Sequence, residues 1–287
     1  MTRLAAVIGQ PVRQSLSPVL HNAVFAGRGL DWRFVSFDIV DGGVRAAIGA
    51  MVPLDIGGFA VTMPHKQVAA AAVDEVDPAA TMLDSVNTIV LRSDGSTFGA
   101  STDGAGFVNW VAASGFELDG SRVVVVGAGA AARSIVAALG RGGADRITVV
   151  NRTPAAAERA AELAVQAEAG SIDAVADADL VVNATSVGMG NDAMPIDAAL
   201  LRPDLTVADI VYHPLETTLL AAARRIGAPT IDGLGMLVHQ AALQQELWTG
   251  ERPDLQPMRA AAEAELARRD ASRGTRATVA SLRCSAS

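Results

Sequence analysis

The stretch from Arg122 to Thr153, RVVVVGAGAAARSIVAALGRGGADRITVVNRT, decides the fold that we predict for this chain. Its run of valines predicts a buried strand, the glycines at 127 and 129 a tight turn, the alanine-rich segment a helix, and the apolar residues before Asn151 a second strand. A strand-helix-strand unit of a parallel sheet needs about 30 residues, and this stretch supplies them. We therefore predict a doubly wound, mainly parallel α/β domain.

The turn of this unit has the spacing expected for binding a dinucleotide. The segment from Gly127 to Ala132 reads G-x-G-x-x-A. Gly127 permits the tight turn, Gly129 lets the backbone approach a pyrophosphate, and Ala132 keeps the helix close to the strand. The strand-turn-helix context makes this pattern more specific than glycine spacing alone.

The end of the second strand favours NADP over NAD. Domains that bind NAD usually carry a carboxylate there for the ribose hydroxyls, but this strand ends in Asn151-Arg152-Thr153. A guanidinium at Arg152 can pair with a 2′-phosphate and stack on adenine, whereas a carboxylate would repel the phosphate. The alternative is that Arg152 is an ordinary solvated residue at a strand end.

The composition limits the possible functions. The chain has 287 residues, is 50% hydrophobic and carries a formal net charge of -8, so we expect a folded protein with no general affinity for nucleic acid or anionic membranes. We find no apolar run of membrane-spanning length and expect a cytoplasmic protein, a monomer or homodimer. Cys284 has no cysteine partner, and the scattered histidines predict no metal site.

The order of elements predicts two α/β units and a helical end. The predicted strands are Leu4–Gly9, Trp32–Ile39, Gly58–Thr62, Val86–Leu91, Ser96–Gly99, Val123–Val126, Leu180–Asn183 and Thr206–Asp209. From Gly233 onward the pattern is helical only, so this segment must pack on elements already formed. The polar segment 270–287 lacks periodicity, and we expect it to be disordered.

An amine and a carboxylate are candidates for proton transfer. A nicotinamide can exchange hydride with a carbonyl, and the developing alkoxide then needs a proton donor. Lys66 follows the apolar strand in VTMPHK, residues 61–66, and a partly buried lysine requires a counter-charge. Asp103 in STDG, residues 101–104, lies where the first unit meets the second. Taken singly, either residue would be interpreted as a surface charge.

The segment SLSP, residues 15–18, is a candidate anion site. Its hydroxyls and the free amides of a helix start suit a substrate carboxylate, although Ser17 as a plain helix cap is an equally good interpretation of that residue alone. Asn87 in SVNT and Gln240 in HQAA offer the polar donors that a polyhydroxylated ligand requires, or serve structure only.

Together these motifs resemble the shikimate dehydrogenase family, NADP-dependent enzymes that reduce 3-dehydroshikimate. The resemblance covers about residues 4 to 265 through SLSP, VTMPHK, SVNT, STDG, GAGAAA, NRT, NATSVGM, DIVY and DGLGML, in that order. It implies a substrate-binding and catalytic domain of residues 1–102 and 233–269, with a Rossmann-type NADP-binding domain of residues 103–232 inserted between them.

The resemblance also implies roles for individual residues. Lys66 and Asp103 are the implied catalytic pair. The implied substrate contacts are Ser15, Ser17, Thr62, Asn87, Tyr212 and Gln240. The implied cofactor contacts are Gly127, Ala128, Gly129, Ala130, Ala131, Asn151, Arg152, Thr153, Thr185, Ser186, Val187, Ile210 and Gly233.

Four positions depart from the family pattern. Ala60 stands where the family often has asparagine, and Ser101 stands in the motif that usually reads NTDG. Ala156 replaces a second arginine for the 2′-phosphate, so the preference for NADP rests mostly on Arg152. Gln245 replaces a helix residue that is commonly aromatic or apolar.

Two other functions remain open at this point. A paralogue could oxidise quinate or a related cyclohexane carboxylate, with NAD as a possible cofactor, and Ala60 and Ser101 leave this choice open. A catalytically degenerate NADP-binding regulator is the third function, but such a sensor has no need for an amine and a carboxylate at the cofactor cleft.

Overall fold

A computed structural model of the chain describes the backbone of residues 2–284 and the side chains of residues 2–272. The first half forms a six-stranded sheet. Its strands are β1 (Arg3–Gly9), β2 (Trp32–Asp38), β3 (Ile56–Val61), β4 (Glu75–Val76), β5 (Thr88–Leu91) and β6 (Thr97–Ala100). The strand order is β2-β1-β3-β5-β6-β4, and only β5 runs antiparallel to its neighbours β3 and β6. The helices of this half are α1 (Ser17–Gly27), α2 (Val44–Gly49), α3 (Lys66–Ala70) and α4 (Pro78–Leu83).

The second six-stranded sheet is entirely parallel. Its strands are β7 (Arg122–Val126), β8 (Arg146–Val150), β9 (Ala167–Ala169), β10 (Leu180–Asn183), β11 (Thr206–Asp209) and β12 (Thr230–Ile231). The order β9-β8-β7-β10-β11-β12 is that of a dinucleotide-binding sheet, so the doubly wound fold is confirmed. Its helices are α5 (Asp103–Ala113), α6 (Ala130–Arg141), α7 (Pro154–Ala161) and α8 (Thr218–Arg225). The strand order reverses between β7 and β10, and ligands of such sheets bind at that crevice.

Two C-terminal helices, α9 (Gly233–Thr249) and α10 (Leu255–Cys284), return to the first sheet. Trp248 at the end of α9 donates a hydrogen bond from Nε1 to the carbonyl of Ile89 in β5, at 3.0 Å. Gly58 in β3 permits this approach, because a Cβ there would lie 2.1 Å from the indole nitrogen. Helix α10 packs on α1 and α9 through a cluster that includes Met258 and Ala262.

The structure differs from the sequence predictions in three respects. The short strands β4, β9 and β12 were not predicted, since two or three residues carry no periodicity. Ser17 does not cap α1 through its side chain; its own amide donates to Ser15 Oγ instead, at 3.2 Å. Helix α10 extends to Cys284, whereas disorder was predicted from residue 270. Extending an existing helix is much easier than nucleating one, which accounts for this difference. Residues 285–287 lie outside the described part of the chain.

Within the described residues, none of the helices combines the length and hydrophobicity of a membrane span. The same residues contain no group of three or more His, Cys, Asp or Glu placed to hold a metal ion.

Candidate active site

Lys66 is held by the turn between β3 and α3. His65, only 1% exposed, forms a 2.7 Å hydrogen bond from Nε2 to the carbonyl of Ile39, just beyond β2. The carbonyl of Lys66 accepts a hydrogen bond from the amide of Val86, at 3.0 Å. The backbone on both sides of the lysine is therefore fixed to the first sheet. His65 is therefore a buried anchor of this turn.

Lys66 forms an ion pair with Asp103, the first residue of α5. Lys66 Nζ donates to Asp103 Oδ2 at 2.5 Å, and the two side chains are 17% and 13% exposed. Asn87 Nδ2 donates to the other carboxylate oxygen, Oδ1, at 2.7 Å. Asn87 is itself held by the amide of Thr102, which donates to its Oδ1 at 2.8 Å. The carboxylate is thus oriented on both oxygens, and the ammonium has the counter-charge that its partial burial requires.

Lys66 is the only lysine among the chain's 23 lysine and arginine residues. Arginine stays protonated in proteins, whereas an amine can release and regain a proton. The other 22 of these residues are arginines. The one lysine lies against a carboxylate in a cavity. A site that transfers a proton would require lysine, because arginine does not release one.

A cavity of about 450 Å³ opens beside this ion pair, and we call it the pair cavity. Every residue predicted to catalyse or to bind substrate lines it: Ser15, Ser17, Thr62, Lys66, Asn87, Asp103, Tyr212 and Gln240. These residues come from helices α1, α3, α5 and α9, the segment before α1, the ends of the segments that flank β3 and β5, and the loop after β11. The structure therefore brings together groups that are up to 225 positions apart in the chain.

Hydroxyl and carboxamide groups that line the pair cavity are positioned by hydrogen bonding, burial and close helix packing. Ser15 Oγ donates to Ser17 Oγ at 3.1 Å, which places both hydroxyls at one wall. Burial raises the pKa of Tyr212, so its phenol is neutral and can donate a hydrogen bond. Gln240 lies where α9 crosses α5 closely, because Gly106 has no Cβ to meet the Gln240 backbone.

A second cavity of about 780 Å³ lies at the strand-order reversal of the parallel sheet, and we call it the Rossmann cavity. The predicted cofactor residues that line it are Gly127, Asn151, Arg152, Thr153, Thr185, Ser186 and Val187. Gly127 has a φ of +119°, and a Cβ there would lie 2.7 Å from the carbonyl oxygen of Ala184, so only glycine fits. The buried Asn183 shapes the opposite wall by donating to the carbonyl of Val187 at 3.0 Å.

The start of α6 fits the pyrophosphate of a dinucleotide. No side chain caps this helix, and a Cβ added at Gly129 would meet nothing within 4 Å. Open space and free backbone amides at a helix start are what a phosphate group requires. Ala128 and Ala130 line a third cavity, on the side of Lys66. Gly129, just before α6, and Ala131, in its first turn, line neither this cavity nor the Rossmann cavity. Ile210 and Gly233, also predicted as cofactor residues, line the pair cavity.

Comparison with known proteins identifies the family. The chain matches the family descriptions "Shikimate dehydrogenase substrate binding domain" at residues 7–89, "Shikimate / quinate 5-dehydrogenase" at residues 111–189 and "Shikimate 5'-dehydrogenase C-terminal domain" at residues 233–263. It is 40% identical to the shikimate dehydrogenase (NADP(+)) of Rubrobacter xylanophilus, over 92% of this chain and 96% of that one. The chain belongs to the shikimate dehydrogenase family.

Solved structures related to this family have the same architecture. Shikimate 5-dehydrogenase from Thermus thermophilus, in complex with NADP(H) and shikimate, is 35% identical with a TM-score of 0.86, over 91% of this chain and 99% of that one. Quinate dehydrogenase from Corynebacterium glutamicum, in complex with NAD, is 31% identical with a TM-score of 0.86, over 92% and 99% of the two chains. The predicted fold class is therefore confirmed.

Two positions that depart from the family pattern, Ala60 and Ser101, differ in whether they line the pair cavity. Ala60 lines the pair cavity. Ser101 does not line it, and its amide donates to Asp77 at the start of α4, at 3.1 Å. Of these two departures, only Ala60 therefore lies at the pair cavity.

Other residues that line the pair cavity were not predicted, among them Met189, Met236 and Gln244. The methionines carry no chemical signal in the sequence. Gln244 offered one, because it is a polar residue within the apolar face of a helix, and it is 2% exposed. Its Nε2 donates to the carbonyl of Asn87 at 3.3 Å.

Proposed function

We propose that this protein is an NADP-dependent shikimate dehydrogenase that reversibly reduces 3-dehydroshikimate to shikimate, a step of chorismate and aromatic amino acid biosynthesis. The observation that carries the proposal is the Lys66–Asp103 ion pair, at 2.5 Å, in a cavity lined by hydroxyl and carboxamide groups. Two observations support the proposal. The relatives are named shikimate dehydrogenase (NADP(+)), and the Thermus thermophilus structure is a complex with NADP(H) and shikimate.

Lys66 is the proposed proton donor in the direction of reduction. NADPH would supply hydride to the C3 carbonyl carbon of 3-dehydroshikimate. The ammonium of Lys66 then gives a proton to the carbonyl oxygen as its negative charge develops, and the product is the alcohol. Asp103 orients the amine and stabilises its protonated form, and Asn87 holds the carboxylate. In oxidation the pair takes the proton from the hydroxyl. Since the two groups are coupled, a kinetic pKa belongs to the pair.

The remaining polar residues of the pair cavity are the proposed substrate contacts. Ser15 and Ser17 suit the carboxylate, and Thr62, Asn87, Tyr212 and Gln240 suit the ring hydroxyls. The proposed cofactor contacts are the turn from Gly127 to Ala131 for the pyrophosphate and Asn151 to Thr153 for the adenosine phosphate. Thr185 to Val187 complete the wall of the Rossmann cavity, and Ile210 and Gly233 face the pair cavity, where the nicotinamide must meet the substrate.

The division of the chain follows from these assignments. We propose residues 1–102 and 233–269 as the substrate domain and residues 103–232 as the cofactor domain. The packing of α9 on β3 and β5, and of α10 on α1, supports the assignment of the C-terminal helices to the substrate domain. We also propose a cytoplasmic location and a monomeric or homodimeric state.

The purified protein tests the proposal directly. With 3-dehydroshikimate and NADPH, we expect a fall in absorbance at 340 nm that requires both compounds. Asp103→Asn, which preserves the shape of the side chain but removes the counter-charge of Lys66, should lower kcat by about 100-fold or more. Arg225→Ala, on an exposed residue of α8, is the control and should retain the rate. No absorbance change with any cyclohexane substrate, despite saturable NADP binding, would favour a regulator instead.

A quinate dehydrogenase is the second candidate. Ala60 lines the pair cavity where the family often has asparagine, and the Corynebacterium glutamicum neighbour is a quinate dehydrogenase solved with NAD. Steady-state rates on shikimate and quinate, each with NADP+ and NAD+, separate the two. A kcat/KM that is higher for quinate than for shikimate would replace the main proposal with this one.

A further inference from the structure

The third cavity, of about 780 Å³, lies between the first half of the chain and the cofactor domain, and we call it the cleft cavity. One wall is formed by α3, α4 and the loops beside them, including Met63, Lys66 and Asp84. The other is formed by the glycine turn, α6 and α7, through residues that include Ala128, Ala130 and Leu163. Lys66 and Met63 line the pair cavity as well, so the two cavities adjoin. A group bound at the glycine turn therefore faces the cleft cavity.

Two arginine side chains on this wall form no hydrogen bond or ion pair within residues 2–272. They belong to Arg133 on α6 and Arg159 on α7, and both residues line the cleft cavity. Many other arginines of the protein are paired, such as Arg122 with Asp179 and Arg259 with Asp232. The carboxylates Asp84 and Glu162 also line the cavity, but within the described residues neither forms an ion pair with these guanidiniums, and Asp84 instead accepts a hydrogen bond from Gln67. The two free guanidiniums leave this wall able to accept an anion.

Arg159 lies on the same face of α7 as Ala156. The two residues are three apart on α7, so they lie on one face of the helix, and both line the cleft cavity. Side chains in a helix lean toward its N-terminus, so a long side chain at 159 covers the turn that holds residue 156. The methyl group of Ala156 leaves that space open. The turn also adjoins Asn151 to Thr153, which line the Rossmann cavity.

We propose that Arg159, with Arg133 on the neighbouring helix α6, binds the 2′-phosphate of NADP and supplies the second cation that Ala156 cannot. The proposal rests on the function proposed above. Arg152 alone would provide one guanidinium for a group that carries almost two negative charges. Arg159 and Arg133 add charge-assisted hydrogen bonds that NAD, with a hydroxyl at this position, cannot use. They are thus specificity residues for the cofactor and do not touch the reacting atoms.

The test is the dissociation constant of NADP+ and of NAD+, measured by isothermal titration calorimetry on the full chain without substrate. The variants are Arg159→Ala, Arg159→Lys and the double variant Ala156→Arg/Arg159→Ala, which moves the guanidinium back by one turn. Arg225→Ala is the matched control, because this exposed arginine lines none of the three cavities. The NADP+ titrations are repeated at several salt concentrations.

We expect Arg159→Ala to raise the dissociation constant of NADP+ about fivefold to tenfold and that of NAD+ less than twofold. Arg159→Lys should keep part of the parent's affinity for NADP+, and the double variant should have most of the parent's affinity. The salt dependence of NADP+ binding should fall in Arg159→Ala. Unchanged NADP+ affinity, or equal losses for both cofactors, would overturn the role of Arg159 while leaving the proposed function intact. A parent protein that binds NAD+ as tightly as NADP+ would instead overturn the proposed cofactor and this inference with it.

Discussion

Replacing Gln245 by leucine should stabilise the protein. Gln245 lies on α9 with 0% of its surface exposed, and neither its Nε2 nor its Oε1 has a hydrogen-bond partner in the described structure. It adjoins His21, whose two ring nitrogens are also buried without partners. Burial lowers the pKa of His21, and the neighbouring Gln244 and Gln245 carboxamides oppose that shift, yet no contact between them and the ring reaches hydrogen-bond geometry.

The magnitude follows from the cost of an unsatisfied amide. A buried carboxamide without partners costs about 1–3 kcal/mol relative to an apolar group of similar size. Gln245→Leu should therefore raise the free energy of unfolding by about that amount. Equilibrium unfolding in urea, followed by tryptophan fluorescence and by circular dichroism, should show a higher midpoint with an unchanged slope. Gln256→Leu, on an exposed residue of α10, is the control and should change stability by less than about 0.5 kcal/mol.

The opposite result would refute this reasoning. If Gln245→Leu lowered the stability by 1 kcal/mol or more, on the order of a hydrogen bond, the carboxamide would be satisfied in solution, for example by buried water between His21 and Gln244.

Two further predictions concern His21 and Gly106. Burial lowers the pKa of His21 to about 4, so the unfolded chain takes up a proton that the folded chain does not. Stability should fall by roughly 3 kcal/mol as the pH drops from about 6.5 to 4, and His21→Leu should flatten this pH dependence in urea titrations; an unaltered slope would contradict the assignment. In Gly106→Ala the new Cβ would lie 2.7 Å from the backbone nitrogen of Gln240. We expect a loss of about 1–3 kcal/mol in stability and a higher KM for shikimate, whereas Gly49→Ala, with open space around it in α2, should neither destabilise the protein nor raise that KM.

The parallel half of the fold could be predicted from the sequence because its signals are local. The predicted strands Leu180–Asn183 and Thr206–Asp209 match β10 and β11, and Gly127 adopts the positive φ that its place in the motif requires. The pairing of β5 with β3 could not be predicted, since it depends on contacts between distant segments. The same holds for His65, which is anchored by a carbonyl 26 residues away.

The residues of the candidate site that could be predicted from the sequence are those whose side chains have functional groups. Charged and polar groups in short motifs, such as Lys66 and Asp103, carry that signal, and the structure joins them. Apolar lining residues such as Met189 carry none, because a methionine in a cavity wall looks like any core methionine in a sequence. Arg159 was missed for a different reason: its relation to Ala156 depends on which face of α7 meets the cleft cavity.

The claim that Lys66 transfers the proton is tested most directly by kcat of the Lys66→Arg variant with shikimate and NADP+. Arginine keeps the positive charge and can pair with Asp103, but it does not release a proton at neutral pH, and the chain has no other lysine to replace it. The dissociation constant of NADP+ should stay within about twofold of the parent, which shows that the variant is folded. We predict that kcat falls by about 100-fold to 10,000-fold. A kcat within about tenfold of the parent, or about 1.4 kcal/mol of barrier, would contradict the account.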